Sequence, residues 1–354
     1  MRDGLGLGAG PGPERPVVQA PMAGGAATPA LAAAVSEAGG LGFLAAGYRT
    51  AAQMRADIAA TRALTSRPFG VNVFVPPADR PPDEAAVAAY RERLVPEGER
   101  LGVRPGDPFA AGADRTAADR TDDWDAKIAD LLDDPPAVVS FTFGCPDTDV
   151  VGAFRERGVP VVVTVTTPRE AVTAAEAGAD ALCVQGAEAG GHQGAFTGAG
   201  TPDDAVPLLR LLPAVRTVTT LPLIAAGGLG TRRQVAEVLE LGAAAAQLGT
   251  AFLRCPESGA SAVHKNALAD PRFTRTALTR AFSGRLARGL VNRFMAEHGE
   301  HAPAAYPEVH HVTAPLRRAA AAKGDADAVA LWAGTAYREA REAPAAEIVA
   351  ALTP

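Results

Sequence analysis

Three glycine-rich turns hold the residues best suited to chemistry. The first runs Gln185-Gly186-Ala187-Glu188-Ala189-Gly190-Gly191-His192-Gln193-Gly194. Its glycines let backbone approach a ligand closely, and its one imidazole can exchange a proton near neutral pH. His192 is the candidate catalytic residue, the alternative being a structural histidine on a surface loop. The other two turns are Ala225-Ala226-Gly227-Gly228 and Gln247-Leu248-Gly249-Thr250. In each, a short apolar run ends in glycine, where exposed N–H groups and the start of a helix would favour an anion. Either turn alone suits a plain strand-to-helix connection; the pair suits a phosphate, and hence a phosphorylated cofactor. Two earlier stretches, Gln19-Ala20-Pro21-Met22 and Gly70-Val71-Asn72-Val73-Phe74, add polar groups to apolar runs. Buried Asn72 and Gln185 each need partners, either a heterocycle with carbonyl and N–H groups or a network among neighbouring loops.

The elements that would hold these turns follow a regular rhythm. Eight β-branched runs, at 17–20, 42–45, 69–75, 137–141, 160–165, 181–185, 223–226 and 244–248, alternate with helix-length segments such as 28–38, 147–157, 168–177 and 231–241. Gly39, Gly158, Gly178 and Gly242 stand just past those segments, where a left-handed helix cap belongs. Eight such units predict an α/β fold, a TIM (β/α)8 barrel, rather than a doubly wound sheet. Barrel active sites lie at the carboxyl ends of the strands, with phosphate after strands seven and eight, where the second and third turns fall.

The remaining segments are read around that barrel. Residues 1–16 form a loose tail, 17–75 and 124–270 the barrel, and 76–123 an insertion over the active site with a helix near 83–94. Residues 271–354 form a helical cap that returns to the barrel, with helices expected near 280–297, 314–322 and 325–340. Phe74, Phe109, Phe196 and Tyr306 are candidate walls for an apolar lid. The 354 residues are 47% hydrophobic and 21% charged, which excludes wholesale disorder. A net charge of -6 offers no attraction to nucleic acid or an anionic membrane. No run of about 20 apolar residues could span a bilayer, and the amino terminus lacks the apolar core of a secretory signal. Cys145, Cys183 and Cys255 are too few for a disulfide framework, which fits a reducing cytoplasm.

Taken together, Gln19-Ala-Pro21-Met22, Gly70-Val-Asn72, Gly190-Gly191-His192-Gln-Gly194, Ala226-Gly227-Gly228 and Gln247-Leu-Gly249-Thr250 resemble the nitronate monooxygenases, once called 2-nitropropane dioxygenases. Phe282-Ser283-Gly284-Arg285-Leu-Ala-Arg288-Gly289-Leu290 and Leu331-Trp332-Ala333-Gly334-Thr335 resemble that family's cap, so the likeness covers nearly all of the chain after residue 16. The resemblance implies an FMN-binding barrel. Pro21, Met22 and Asn72 would line the flavin, with Gln185, Gly190 and Gly191 near its polar edge. Gly227, Gly228, Gln247, Leu248, Gly249 and Thr250 would hold the ribityl phosphate. His192 would take the α-proton of a nitroalkane, or position an anionic nitronate, while flavin and O2 convert the substrate to a carbonyl compound and nitrite. The partners implied are a small nitronate and O2, in a monomer or homodimer.

Two departures bear on the substrate. The family's nitronate-specific members place a Tyr and then a Lys in the pocket, whereas here Tyr306 is followed by His310 and His311; Tyr306 and His310 are the substrate-pocket candidates. His298, His301 and these two histidines read as a solvated loop among Glu297, Glu300 and prolines, so no metal is expected. Cys145 reads as a small buried filler and Gly4-Leu-Gly6-Leu-Gly8 as no dinucleotide site, since no strand precedes it. A flavin-dependent enoyl-acyl-carrier-protein reductase, or another NAD(P)H-dependent flavin oxidoreductase, resembles the same barrel and is the alternative function.

Overall fold

A computed structural model of the chain describes residues 13–76, 82–109 and 121–354. The strands in chain order are β1 Val17–Gln19, β2 Gly42–Ala45, β3 Phe69–Phe74, β4 Val138–Thr142, β5 Val161–Val165, β6 Ala181–Gln185, β7 Gly191–His192, β8 Leu223–Ala226, β9 Ala245–Leu248, β10 Thr276–Thr279 and β11 Ala287–Leu290. All but β7, β10 and β11 pair in parallel, in the order β1-β9-β8-β6-β5-β4-β3-β2. A parallel bridge between Val18 and Leu41 closes the ring, with Gln19 N–H donating to Leu41 O at 2.9 Å. The TIM barrel expected from the alternating pattern is present, and its eight strands are the eight apolar runs.

Local chemistry sets the helix ends. Thr28, Thr50, Thr167 and Thr231 cap helices by accepting from backbone N–H groups, and Thr50 and Thr231 form full capping boxes with Gln53 and Gln234. At the other ends, Gly39, Gly158, Gly178 and Gly242 take positive φ, as a left-handed cap requires. Val18, Phe43, Val162, Cys183 and Ile224 fill the barrel interior, while a larger core lies between strands and helices. The last helix, Ala345–Leu352, packs Ile348, Val349 and Leu352 into that outer core.

A second core sits over the barrel. Phe282, Phe294, Val309, Val312 and Leu316 meet Val87, Tyr90, Leu94 and Leu101, so the two described helices of the insertion, Glu84–Arg93 and Val95–Leu101, pack with the cap. Polar contacts join them as well: Tyr90 Oη donates to Ala281 O at 2.7 Å, and buried Glu97 pairs with Arg293 at 2.7 Å. Residues 77–81 and 110–120 of the insertion, and residues 1–12 of the tail, which include the Gly4 to Gly8 stretch, lie outside the described residues.

Two expected cap helices are absent. The stretch 280–297 forms most of a β10–β11 hairpin and only then a short helix, Arg293–His298. Gly284 makes the turn at φ +81°, and a Cβ there would lie 2.1 Å from Ala305 O. The stretch 325–340 is irregular apart from short 3-10 turns at Ala326–Ala328 and Tyr337–Glu339, because Trp332 is held extended by a bridge to Gly289. Helix Glu308–Ala322 does form over the expected 314–322. Among the described residues no helix is long and apolar enough to cross a membrane.

Candidate active site

The carboxyl ends of the barrel strands and the underside of the cap enclose a cavity of about 440 Å3. Pro21, Met22, Asn72, Gln185, Gly190, Gly191, His192, Gly227, Gly228, Gln247, Leu248, Gly249, Thr250 and His310 all line it. Tyr306 lines a small annex of about 60 Å3 that shares Tyr48, Phe74, Phe143 and His310 with the main cavity. Of the proposed aromatic walls, Phe74 faces the cavity, whereas Phe109 is 42% exposed and Phe196 packs on the outer barrel core.

At one end lies the cradle. Among the described residues, the N–H groups of Gly227, Gly228, Leu229, Gly249 and Thr250 have no hydrogen-bond acceptor. Gly227 and Gly228 sit at φ +118° and +69°, and a Cβ on Gly228 would come within 2.7 Å of Glu188 Cβ. Backbone donors left unpaired in the loop before helix Arg232–Glu240 and at the end of β9 would suit an anion.

The polar residues between cradle and imidazole are partly spent on one another. Asn72 Nδ2 donates to Ser140 Oγ at 2.9 Å and Thr142 Oγ1 at 3.0 Å, while its Oδ1 takes no hydrogen bond from the described residues. Gln185 Nε2 donates to His192 O at 3.2 Å and its Oε1 accepts from Gly194 N–H at 2.6 Å, so this carboxamide clamps the histidine loop at both ends. Gln247 Nε2 donates to Cys183 Sγ at 3.2 Å, within the barrel.

His192 stands where barrel and cap meet. As strand β7 it pairs antiparallel with Ala287 of β11, so the histidine loop forms one edge of the three-stranded cap sheet. Its Nε2 lies 2.8 Å from Ser283 Oγ. That hydroxyl also accepts from Arg285 N–H at 3.3 Å and lies 3.2 Å from Arg285 O, to which it donates. In the tautomer in which that hydroxyl donates to Arg285 O, Nε2 carries the imidazole proton and Nδ1 is the basic nitrogen. Phe143, Tyr306 and Trp332 surround the ring at 5.5 to 5.9 Å. Burial, helped by the charges of Arg285 and Arg317, pushes the imidazole pKa down to about 3.

Two arginines were not singled out by sequence reasoning. Arg285 is buried, stacks 3.9 Å over the Phe143 ring and donates to Gln193 O and Ala195 O. Arg317, half-buried and lining the cavity, donates to Thr313 Oγ1 at 3.1 Å and to His310 Nδ1 at 3.2 Å. Neither makes an ion pair with a carboxylate among the described residues, and burial lowers both to about 10. Arg317 therefore makes the cap wall of the cavity electropositive, while Arg285 is buried outside its lining.

Of the four histidines expected in a solvated loop, His301 is exposed on a short 3-10 turn and the other three are placed otherwise. His298 ends a helix and is buried, and His310 and His311 belong to helix Glu308–Ala322. One group among the described residues has metal-ligand chemistry: Glu97, Glu297 and His298. Arg100 and Arg293 already hold its carboxylates at 2.6 to 2.7 Å, which opposes a cation there. Cys145 is partly buried against the barrel core, and burial raises its thiol to about 11, as suits a filler.

Three half-buried imidazoles bear on stability. His192, His264 and His310 are lowered to about 3, 4 and 2, each by burial first. Below pH 6.5 the unfolded chain takes up protons that these folded histidines refuse, so their stabilising effect, intact above 6.5, is lost as pH falls toward 4. Each group costs about 1.4 kcal/mol per pH unit in that window. Thermal melts should give a constant Tm from pH 7 to 8 and a fall of several degrees per unit below about 6. A flat Tm down to pH 5 would contradict neutral burial of these rings.

Comparison with known proteins agrees with this geometry. The family model described as nitronate monooxygenase matches residues 13–354. A nitronate monooxygenase of Pseudomonas aeruginosa is 43% identical over 96% of each chain, and one of Paraburkholderia phytofirmans is 41% identical over 96% of this chain and 92% of that one. Among solved structures, a nitroalkane oxidase from Streptomyces ansochromogenes is 54% identical with TM-score 0.90, covering 96% of this chain and 95% of that one. FabK from Thermotoga maritima is 26% identical with TM-score 0.72, over 96% and 92%. Fold, cavity and whole-length similarity converge: this chain belongs to the nitronate monooxygenase family.

Proposed function

We propose that the protein is an FMN-dependent oxidoreductase that converts alkyl nitronates and O2 to a carbonyl compound and nitrite. The observation that carries this reading is a cavity running from an unpartnered N–H cradle to His192 beneath a wall that carries the guanidinium of Arg317, which has no carboxylate partner among the described residues. The cradle fits the ribityl phosphate, and Met22, Asn72 and Gly190 stand along the path a flavin would take. When bound, FMN supplies the electron acceptance and the reactivity with O2 that no side chain here offers.

The chain's own residues handle charge and protons. Arg317 and the Nε2–H of His310, whose Nδ1 is committed to Arg317, can compensate the negative charge of a nitronate. His192, neutral at physiological pH, can hold the substrate or accept an α-proton at Nδ1. With its pKa near 3 it is a weak base, so a preformed nitronate is the easier substrate. The relative from Streptomyces is a nitroalkane oxidase, which makes the comparison of the two substrates decisive.

Oxygen uptake and nitrite release, measured without a nicotinamide, should give a kcat/KM for ethyl nitronate at least about tenfold above that for nitroethane. Arg317→Met should raise KM for the nitronate by about tenfold. Equal kcat/KM for both substrates would remove the preference for the anion. No uptake with either, together with anaerobic bleaching of the flavin by NAD(P)H, would select the reductase.

A further inference from the structure

We propose that Lys127 is a positioning residue for the substrate pocket, acting through Tyr48. Lys127 lies on helix Trp124–Asp133, in the outer layer of the barrel, yet its side chain is wholly buried. A buried ammonium is costly unless paired, so its contacts bear on its role. The amine donates to Ala46 O at 2.9 Å, the carbonyl just past β2, and lies 2.7 Å from Asp122 Oδ2. The other oxygen of Asp122 accepts from Tyr48 N–H at 2.9 Å. One ion pair thus grips both ends of the 46–48 turn.

That turn needs a grip. Tyr48 has φ +64°, a left-handed conformation unfavourable for a residue with a side chain, and 37% of its surface is open. Its position nevertheless matters to the cavity. The ring stacks on His310 at 4.7 Å and 11°, and its hydroxyl is 3.1 Å from that of Tyr306. His310 in turn takes the hydrogen bond from Arg317. Asp122 itself has φ +56°, as does Asp123 at +55°, and Asp123 accepts from Ala51 N–H at 3.0 Å. The end of the insertion is therefore folded back to reach the turn, and the pair couples insertion, barrel and cap at the wall opposite the cradle.

The proposal rests on the nitronate reading for its kinetic test and on exchange for an independent one. Lys127→Met in the cofactor-loaded enzyme should raise KM for ethyl nitronate by about tenfold while kcat stays within about twofold. Tyr48→Ala should reproduce that rise, and adding Lys127→Met to it should raise KM no further, the non-additivity expected of one chain of action. Hydrogen–deuterium exchange of the peptide covering 46–50 should quicken in Lys127→Met with no change at the cradle, whatever substrate the enzyme takes. Where the single variant does not fold, Lys127→Met with Asp122→Ala removes both charges and carries the same expectations. Independent, multiplicative KM effects of Lys127→Met and Tyr48→Ala would overturn the proposal, as would unchanged exchange at 46–50. A wild type that oxidises no nitronate would sink the functional reading and leave the exchange test standing.

Discussion

His192→Ala should lower kcat for ethyl nitronate by about 10²- to 10⁴-fold while the bound flavin and its absorbance remain. The contacts of His192 run to the cap, through Ser283 and β11, and to Gln185 and Phe143 of the barrel, and none runs to the N–H cradle, so cofactor retention and turnover are separable. The loss should be greater for nitroethane than for its nitronate, because only the neutral substrate needs a base. His192→Asn, which keeps a donor and removes the base, should narrow the deficit for the nitronate alone. Oxygen uptake by His192→Ala within threefold of wild type on both substrates would take the catalytic role from this residue.

Gly228→Val should empty the enzyme of cofactor. The new Cβ would meet Glu188 Cβ at 2.7 Å and Thr335 Oγ1 at 2.9 Å, at a φ of +69° that valine strongly resists. The turn must shift, and the N–H groups that would bind phosphate shift with it. Flavin retained after gel filtration should fall at least about tenfold, equivalent to about 1.4 kcal/mol of binding. Gly242→Ala is the control: it is equally left-handed at φ +93°, has nothing within 4 Å, and lies at a helix cap away from the cavity. It should cost about 1 kcal/mol of stability and no flavin. Full flavin content in Gly228→Val would move the phosphate site elsewhere.

The barrel was legible because its signals are local and repeated. Runs such as Val161–Val165 and Phe69–Phe74 are β-branched or aromatic, and threonine caps and glycine stops frame the helices between them. The cradle was legible for the same reason, since glycine pairs at strand ends are visible in any order of folding. The cap was read less well because long-range contacts shape it. Ala287–Leu290 is too short and too mixed to signal a strand, and it becomes one only by pairing with β10 and with the two residues of β7. The 325–340 stretch is rich in alanine, yet the Trp332 bridge to Gly289 overrides helix propensity. Arg317 and Lys127 were missed because an isolated cation on an amphipathic helix ordinarily faces water. Only the packing of elements distant in sequence shows that one lines a cavity and the other reaches beneath a turn.

The β7–β11 pairing also bears on the order in which the parts of the cavity are synthesised. The strands that frame the cradle, β8 and β9, precede residues 276–290 in the chain, so both leave the ribosome before the strand partner and the serine that hold the histidine. The last quarter of the chain therefore supplies contacts at both ends of the cavity: Ser283 and Ala287 beside the histidine, and Gly334, whose N–H donates to Thr250 Oγ1, beside the cradle.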